Sequence, residues 1–153
     1  MNPNFQFLPE AVATVDADSK QAILELAAEM FSSVYGIDPA VALDGLEERE
    51  KLGSTGFGRA VAIPHARIAK IKRPLVVCLR LENAVDFEAA DGLPVDLVFA
   101  MLSPEHAGAT HLHALAAISR LVRDDATHAA LSQAPDCEAI YAVLSNHIER
   151  NAA

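Results

Sequence analysis

The sequence predicts a three-layer α/β domain, helices flanking a sheet-forming middle. Three observations lead there. Helical apolar periodicity marks both ends of the chain, as in Ile23, Leu26, Ala27, Met30 and Val34 near the start. Two largely apolar runs, Leu75–Leu81 and Val95–Leu102, sit between them, the first rich in β-branched residues, and read as buried strands. Glycine and proline separate the segments. With 153 residues, 52% of them hydrophobic, the chain can bury a real core. It shows no internal repeat and no low-complexity linker, so one domain over residues 1–153 is expected.

The elements follow in order. Asp18-Ser19 can cap a helix running to about Tyr35, which Gly36 ends. Asp38-Pro39 opens a second helix, with proline in the first turn, ending near Leu52. A glycine loop then leads into a short strand, Ala60–Ile63, which Pro64 ends. After the Leu75–Leu81 strand, Val85-Asp86-Phe87 is a weak edge-strand candidate before a turn at Asp91-Gly92. Ser103-Pro104 ends the strand that begins at Val95. Helices over His111–Arg123, Ala126–Ser132 and Cys137–Glu149 close the chain, the last with Ile140, Val143, Leu144 and Ile148 inward.

Composition narrows the function classes. A net charge of −9 argues against binding a phosphate backbone, which needs clustered Lys and Arg, and so against a nucleic-acid partner. It suits either attraction to a basic partner surface or simple solubility. No apolar run reaches the length of a membrane-spanning helix, so direct membrane insertion is not expected. Met1-Asn2-Pro3-Asn4-Phe5 lacks the basic start and apolar core of a signal peptide. Cys78 and Cys137 form no redox or zinc spacing, which fits a reducing, cytoplasmic setting.

The stretch from Gly53 to His65 carries the most chemistry. Gly53, Gly56 and Gly58 make a loop whose backbone can approach an anion, and Ser54 and Thr55 add hydroxyl donors. Gly53, Ser54, Thr55 and Gly56 are therefore candidate phosphate-binding residues, although the loop alone also fits an ordinary glycine-rich turn. A nucleotide P-loop is rejected. Gly53 and Gly58 have its spacing, but Arg59 and Ala60 stand where Lys and Ser/Thr belong, and the preceding segment reads as helix rather than strand. The dinucleotide pattern fails because Val61 stands where its third glycine belongs. His65 follows the loop on backbone stiffened by Pro64, and a neutral imidazole there can attack phosphorus.

A second histidine stands in the segment Thr110–Arg123. Leu115, Ile118 and Val122 follow His111 at helical spacing, so His111 lies at the buried edge of the helix's first turn, where N–H groups favour anions. His113 aligns with Ala117, Arg120 and Asp124 and points to solvent. Spacing alone fits both equally well as ordinary helix residues. Side chains two apart on a helix do not converge on a metal, and no Cys or carboxylate cluster completes a ligand set, so no metal is expected.

The blocks Glu48-Arg49-Glu50-Lys51-Leu52-Gly53-Ser54-Thr55-Gly56, Ala62-Ile63-Pro64-His65, Pro94–Ala100 and His111-Leu112-x-x-Leu115 together resemble the phosphotransferase-system enzyme IIA domains of the fructose/mannitol type, and within them the nitrogen-regulatory subgroup. The resemblance runs from about Leu8 to His147. It implies a mixed sheet, His65 as the phosphorylated residue, His111 as its partner in a shallow pocket and Arg49 as a charge-balancing neighbour. Arg59 is a less secure candidate, and Ala66-Arg67 departs from the Gly-Lys or Gly-Arg of many relatives. The implied donor is an HPr-like phosphocarrier, with no cofactor required. Three outputs follow: regulation of target proteins by phosphorylation-dependent binding, transfer onward to a sugar-specific IIB domain, or binding without phosphotransfer.

Overall fold

The computed structural model describes residues 4–152. Met1–Pro3, the first part of the stretch read above as lacking signal-peptide character, lie outside them. Six strands and five helices are laid down as β1 (Val12–Val15), α1 (Lys20–Tyr35), α2 (Pro39–Lys51), β2 (Gly56–Gly58), β3 (Val61–Ala62), β4 (His65–Ile68), β5 (Leu75–Val85), β6 (Val95–Pro104), α3 (Ala109–Arg123), α4 (Asp125–Gln133) and α5 (Cys137–Ala152). The strands form one mixed sheet in the order β1-β5-β6-β3-β2, with β4 also on β6. β5 and β6 run antiparallel, whereas β1 on β5, and both β3 and β4 on β6, run parallel.

Alternation along the two central strands creates the three layers. Val77, Leu79 and Leu81 of β5, with Val98, Ala100 and Leu102 of β6, pack with Ile23, Ala27 and Phe31 of α1 and Leu46 of α2. Val76 and Cys78, with Leu97, Phe99 and Met101, pack on the other face with Ile118 of α3 and Ile140 and Leu144 of α5. Leu75–Leu79 of β5 and Leu97–Leu102 of β6 are buried on both faces, which is why they read as apolar runs, whereas β5 emerges at Glu82–Ala84.

The helix limits follow from local signals. Ser19 accepts a hydrogen bond from the Ala22 N–H, and Asp38 does the same for Ala40. Gly36 ends α1 at φ +73°, a left-handed turn that glycine adopts without strain. The buried face of α1 is rotated from the expected one. Leu24, Ala28 and Phe31 are buried with Ile23 and Ala27, while Leu26, Met30 and Val34 are half-buried, because sheet and α2 cover a wider arc than one apolar stripe. In α3, Ala114 rather than Leu115 is fully buried.

The edge strands differ most from expectation. Val12–Val15 forms β1 and Val85 belongs to β5, which absorbs the start of the separate edge strand expected there. β6 continues through Ser103 to Pro104, since it pairs with Ile68 of β4 and needs no N–H there. The strand expected at Ala60–Ile63 shrinks to Val61–Ala62 and does not end at the proline. β3 and β4 lie against β6 with the same offset, Val61 opposite Leu97 and His65 opposite Met101. They are one edge strand interrupted at Ile63-Pro64, so His65 opens β4 rather than standing beyond a strand end.

The tight turn joining β2 and β3 is strained. Arg59 and Ala60 both take left-handed φ, at 59° and 67°. Two hydrogen bonds to the Ala60 carbonyl, from Asp96 and Leu97 N–H, hold it there, as does the Arg59 N–H bond to Asp91. Ala60→Gly is expected to raise the unfolding free energy by about 0.5–1 kcal/mol, relief of the left-handed strain exceeding the entropy glycine adds to the unfolded chain. Urea unfolding checks this, and a lowered midpoint would contradict it.

Candidate active site

His65 is placed by the interrupted edge strand. Pro64 offers no N–H, and its carbonyl accepts from Met101 N–H, which fixes the chain against β6. The ring turns back so that Nδ1 lies 2.8 Å from the Ile63 carbonyl oxygen. A carbonyl oxygen only accepts, so the proton of the neutral ring sits on Nδ1 and Nε2 keeps the lone pair. Burial pushes the His65 pKa down, the Ile63 hydrogen bond pulls it up, Arg49 lowers it and Glu50 raises it. The balance favours the neutral, nucleophilic ring.

His111 lies in the first turn of α3, 6% exposed, and its ring centroid is 5.7 Å from that of His65. Its Nδ1 is 2.7 Å from the hydroxyl of Ser103. Burial, then the charges of Arg67 and His65, push its pKa down to about 4. His113, as its helical phase predicts, is exposed. A depression of about 490 Å³ is lined by Arg49, Leu52, His65, Arg67 and His111 among others. Another, of about 270 Å³, lies beyond His65 against Ser54–Phe57, Leu115 and Ser119.

Arg49, at the end of α2, donates from Nη1 to the Gly53 carbonyl at 2.8 Å and so stands at the rim beside His65. Arg67, passed over as a site candidate in the sequence, lines the same depression. It lies two residues after His65 on β4, so strand alternation puts both on one face. That period-2 relation was visible only once β4 was known to be a strand. Arg59 lines neither depression and instead pairs with Asp125 at the start of α4.

The glycine loop departs from the expected anion nest. Several of its donors are already taken within the chain, two of them by a carboxylate. Glu50, its side chain 6% exposed, accepts from both the N–H and the hydroxyl of Thr55. Gly56 N–H donates to the Ser54 hydroxyl oxygen, which in turn donates to the Phe87 carbonyl, and Gly53 N–H donates to the Glu50 carbonyl. Gly56 is required by space, since a Cβ there would lie 2.7 Å from the Ala89 Cβ. Lys20 completes the arrangement at 3.1 Å from Glu50 and 3.4 Å from Glu88, 5.0 Å from the Phe87 ring centroid. The loop therefore shapes one wall of the site, with Thr55 N–H and Gly56 N–H spent internally.

Fold and site together define a small α/β protein with two neutral imidazoles and two guanidinium groups around one depression. Residues 6–147 match the family model of the phosphoenolpyruvate-dependent sugar phosphotransferase system, EIIA 2. The chain belongs to that family. It is 45% identical over 139 residues to the nitrogen regulatory protein of Bradyrhizobium diazoefficiens, covering 90% of each chain. It is 35% identical over 112 residues to a fructose-specific EIIA component of Haloferax volcanii, covering 73% of each. The crystal structure of nitrogen regulatory protein IIA-Ntr from Neisseria meningitidis superimposes with a TM-score of 0.84 at 32% identity, over 90% of this chain and 95% of that one. Among the described residues no helix is long and apolar enough to cross a membrane.

Two outcomes are expected from this geometry. Glu50→Ala should cost about 3 kcal/mol, because it strands the two Thr55 donors beneath the loop and leaves Lys20 only the exposed carboxylate of Glu88; urea unfolding and amide exchange at Thr55 check it, and unchanged protection would refute the anchoring role. The depressed pKa of His111 fixes a second outcome. The unfolded chain takes up a proton near pH 6.5 and the folded chain only near 4, so the stability due to the neutral ring is complete above that range and is lost as pH falls through it. His65 and His147, both lowered chiefly by burial, act with the same sign. The urea midpoint should drop between about pH 7.5 and about pH 5, and drop less in His111→Asn.

Proposed function

We propose that His65 accepts a phosphoryl group on Nε2 from the phosphohistidine of an HPr-like carrier, and that the charge it gains regulates the binding of target proteins. The observation that supports this most directly is the Nδ1 bond to Ile63, which leaves the Nε2 lone pair free. In the transfer, the donor N–P bond breaks as the Nε2–P bond forms, and the donor nitrogen recovers its electron pair. Positive charge then develops on the His65 ring, where the Ile63 carbonyl accepts from Nδ1–H. Arg49, Arg67 and His111 line the same depression as His65, which supports a role for them in stabilising the phosphoryl oxygens. No metal has to activate the donor, since a phosphoramidate is already reactive. The donor must come into contact with a half-buried His65, and exposed Leu52 and Leu112 beside the site offer apolar surface for that.

Phosphorylation adds a charge of about −1.5 to −2, enough to change which partner surface the depression accepts. Similarity to the nitrogen regulatory protein over nine-tenths of the chain supports the regulatory output. Similarity to the fructose-specific component supports a second reading, onward transfer to a IIB domain.

Incubation with phosphoenolpyruvate, enzyme I and an HPr-type protein, followed by intact-mass measurement, tests the reaction. One acid-labile phosphoryl group is expected on the wild type, in excess chelator as well, and none on His65→Ala. His111→Ala should slow labelling roughly 10²–10³-fold, the loss typical of one donor to a developing oxyanion. An unlabelled wild type beside an active donor would leave a binding module, and rapid discharge to a IIB domain would favour the second reading.

A further inference from the structure

Ser103 is fully buried near the end of β6, opposite Arg67 in the parallel register. Leu97, Phe99 and Met101 of β6 face α3, and alternation carries Ser103 to the same face, under the first turn of α3. Its hydroxyl has one described side-chain partner, His111 Nδ1, at 2.7 Å. Two arrangements of the proton are possible. If Nδ1–H donates to the serine oxygen, the buried O–H is left without a described acceptor. If the serine O–H donates to Nδ1, only spare oxygen lone pairs go unused. Orphaned buried donors are rarer and costlier than under-used acceptors.

We propose that Ser103 is a positioning residue that donates to His111 Nδ1 and thereby fixes the His111 ring proton on Nε2, so that Nε2–H is the donor offered to the phosphoryl group on His65. This deepens the reaction proposed above and its catalytic half rests on that reading. The two rings then carry opposite tautomers. His65 is protonated on Nδ1 by way of Ile63 and presents a lone pair, whereas His111 is protonated on Nε2 by way of Ser103 and presents a hydrogen. One ring attacks phosphorus and the other receives its oxygens. Burial and the Arg67 charge keep His111 neutral, so it has a single ring proton, and the placing of that proton decides whether the ring attracts or repels a phosphoryl oxygen.

Ring ¹⁵N spectra of the unphosphorylated protein near neutral pH test the assignment, read beside single-turnover labelling of His65. The wild type should show a pyridine-type Nδ1 and a pyrrole-type Nε2 on His111. Ser103→Ala should give shifts averaged between tautomers and labelling slowed roughly 10-fold, with the Ile63-bonded His65 spectrum unchanged, and Ser103→Thr should restore both. A protonated His111 Nδ1 in the wild type overturns the proposal before any variant is made. So does a Ser103→Ala protein with wild-type ring shifts and rate. Absence of labelling on wild-type His65 beside an active donor removes the phosphoryl-transfer reading, while the wild-type spectrum still decides the proton's position.

Discussion

The Glu50 carboxylate holds together the parts that make a site here. It sits at the end of α2, almost wholly buried, and gathers the Thr55 amide, the Thr55 hydroxyl and the Lys20 ammonium. A carboxylate removed from water is costly unless paired and hydrogen-bonded, and these three donors provide that. In return the loop after α2 is tied back onto the helix. Thr55 then accepts the Ile63 N–H through its carbonyl, and the Ile63 carbonyl in turn accepts from the His65 ring. One chain of bonds thus runs from Lys20 on α1, through Glu50, Thr55 and Ile63, to the proposed phosphoryl acceptor. Both helices of one layer are fastened to the edge strand on which the imidazole stands.

Much of the fold was legible because its signals are local. Ser19, Gly36 and Asp38-Pro39 mark helix limits by cap chemistry that needs no tertiary partner. β5 and β6 are legible because burial on both faces leaves apolar stretches, Leu75–Leu79 and Leu97–Leu102, at their centres. β1 and β4 were not, since four-residue edge strands with mixed burial, such as His65-Ala66-Arg67-Ile68, have too few residues to establish a period. Pro64 added to the difficulty. It reads as a stop, yet on an edge strand the missing N–H breaks one bond of the ladder and leaves the register intact.

The site was legible in its imidazoles and less so in its surroundings. His65 and His111 stand out by loop context and helical phase, and the fold brings their rings together. The glycine loop looked like an anion nest because its donors and its flexibility are those of one. What sequence did not reveal is that the anion is Glu50, five residues upstream of Thr55. Arg67 and Ser103 were silent for a different reason. Each is an ordinary residue whose place depends on a strand register, β4 on β6, that exists only in the folded sheet.

A carrier site has to receive a phosphoryl group and release it again, and the electrostatics here suit that double demand. Were both rings charged beside two guanidinium groups, the bound phosphoryl would be held too firmly and the acceptor nitrogen would have no lone pair to offer. Were the guanidiniums absent, nothing but water would meet the incoming charge. Burial lowers both imidazole pKa values, and nearby arginines lower them further, so the cations that would greet a phosphoryl group also keep the rings neutral until it arrives. Arrival of the negative group reverses that influence, since a dianion beside His111 stabilises a proton on it. On the proposed reaction, the same pocket is nucleophilic before transfer and more strongly hydrogen-bonding after it.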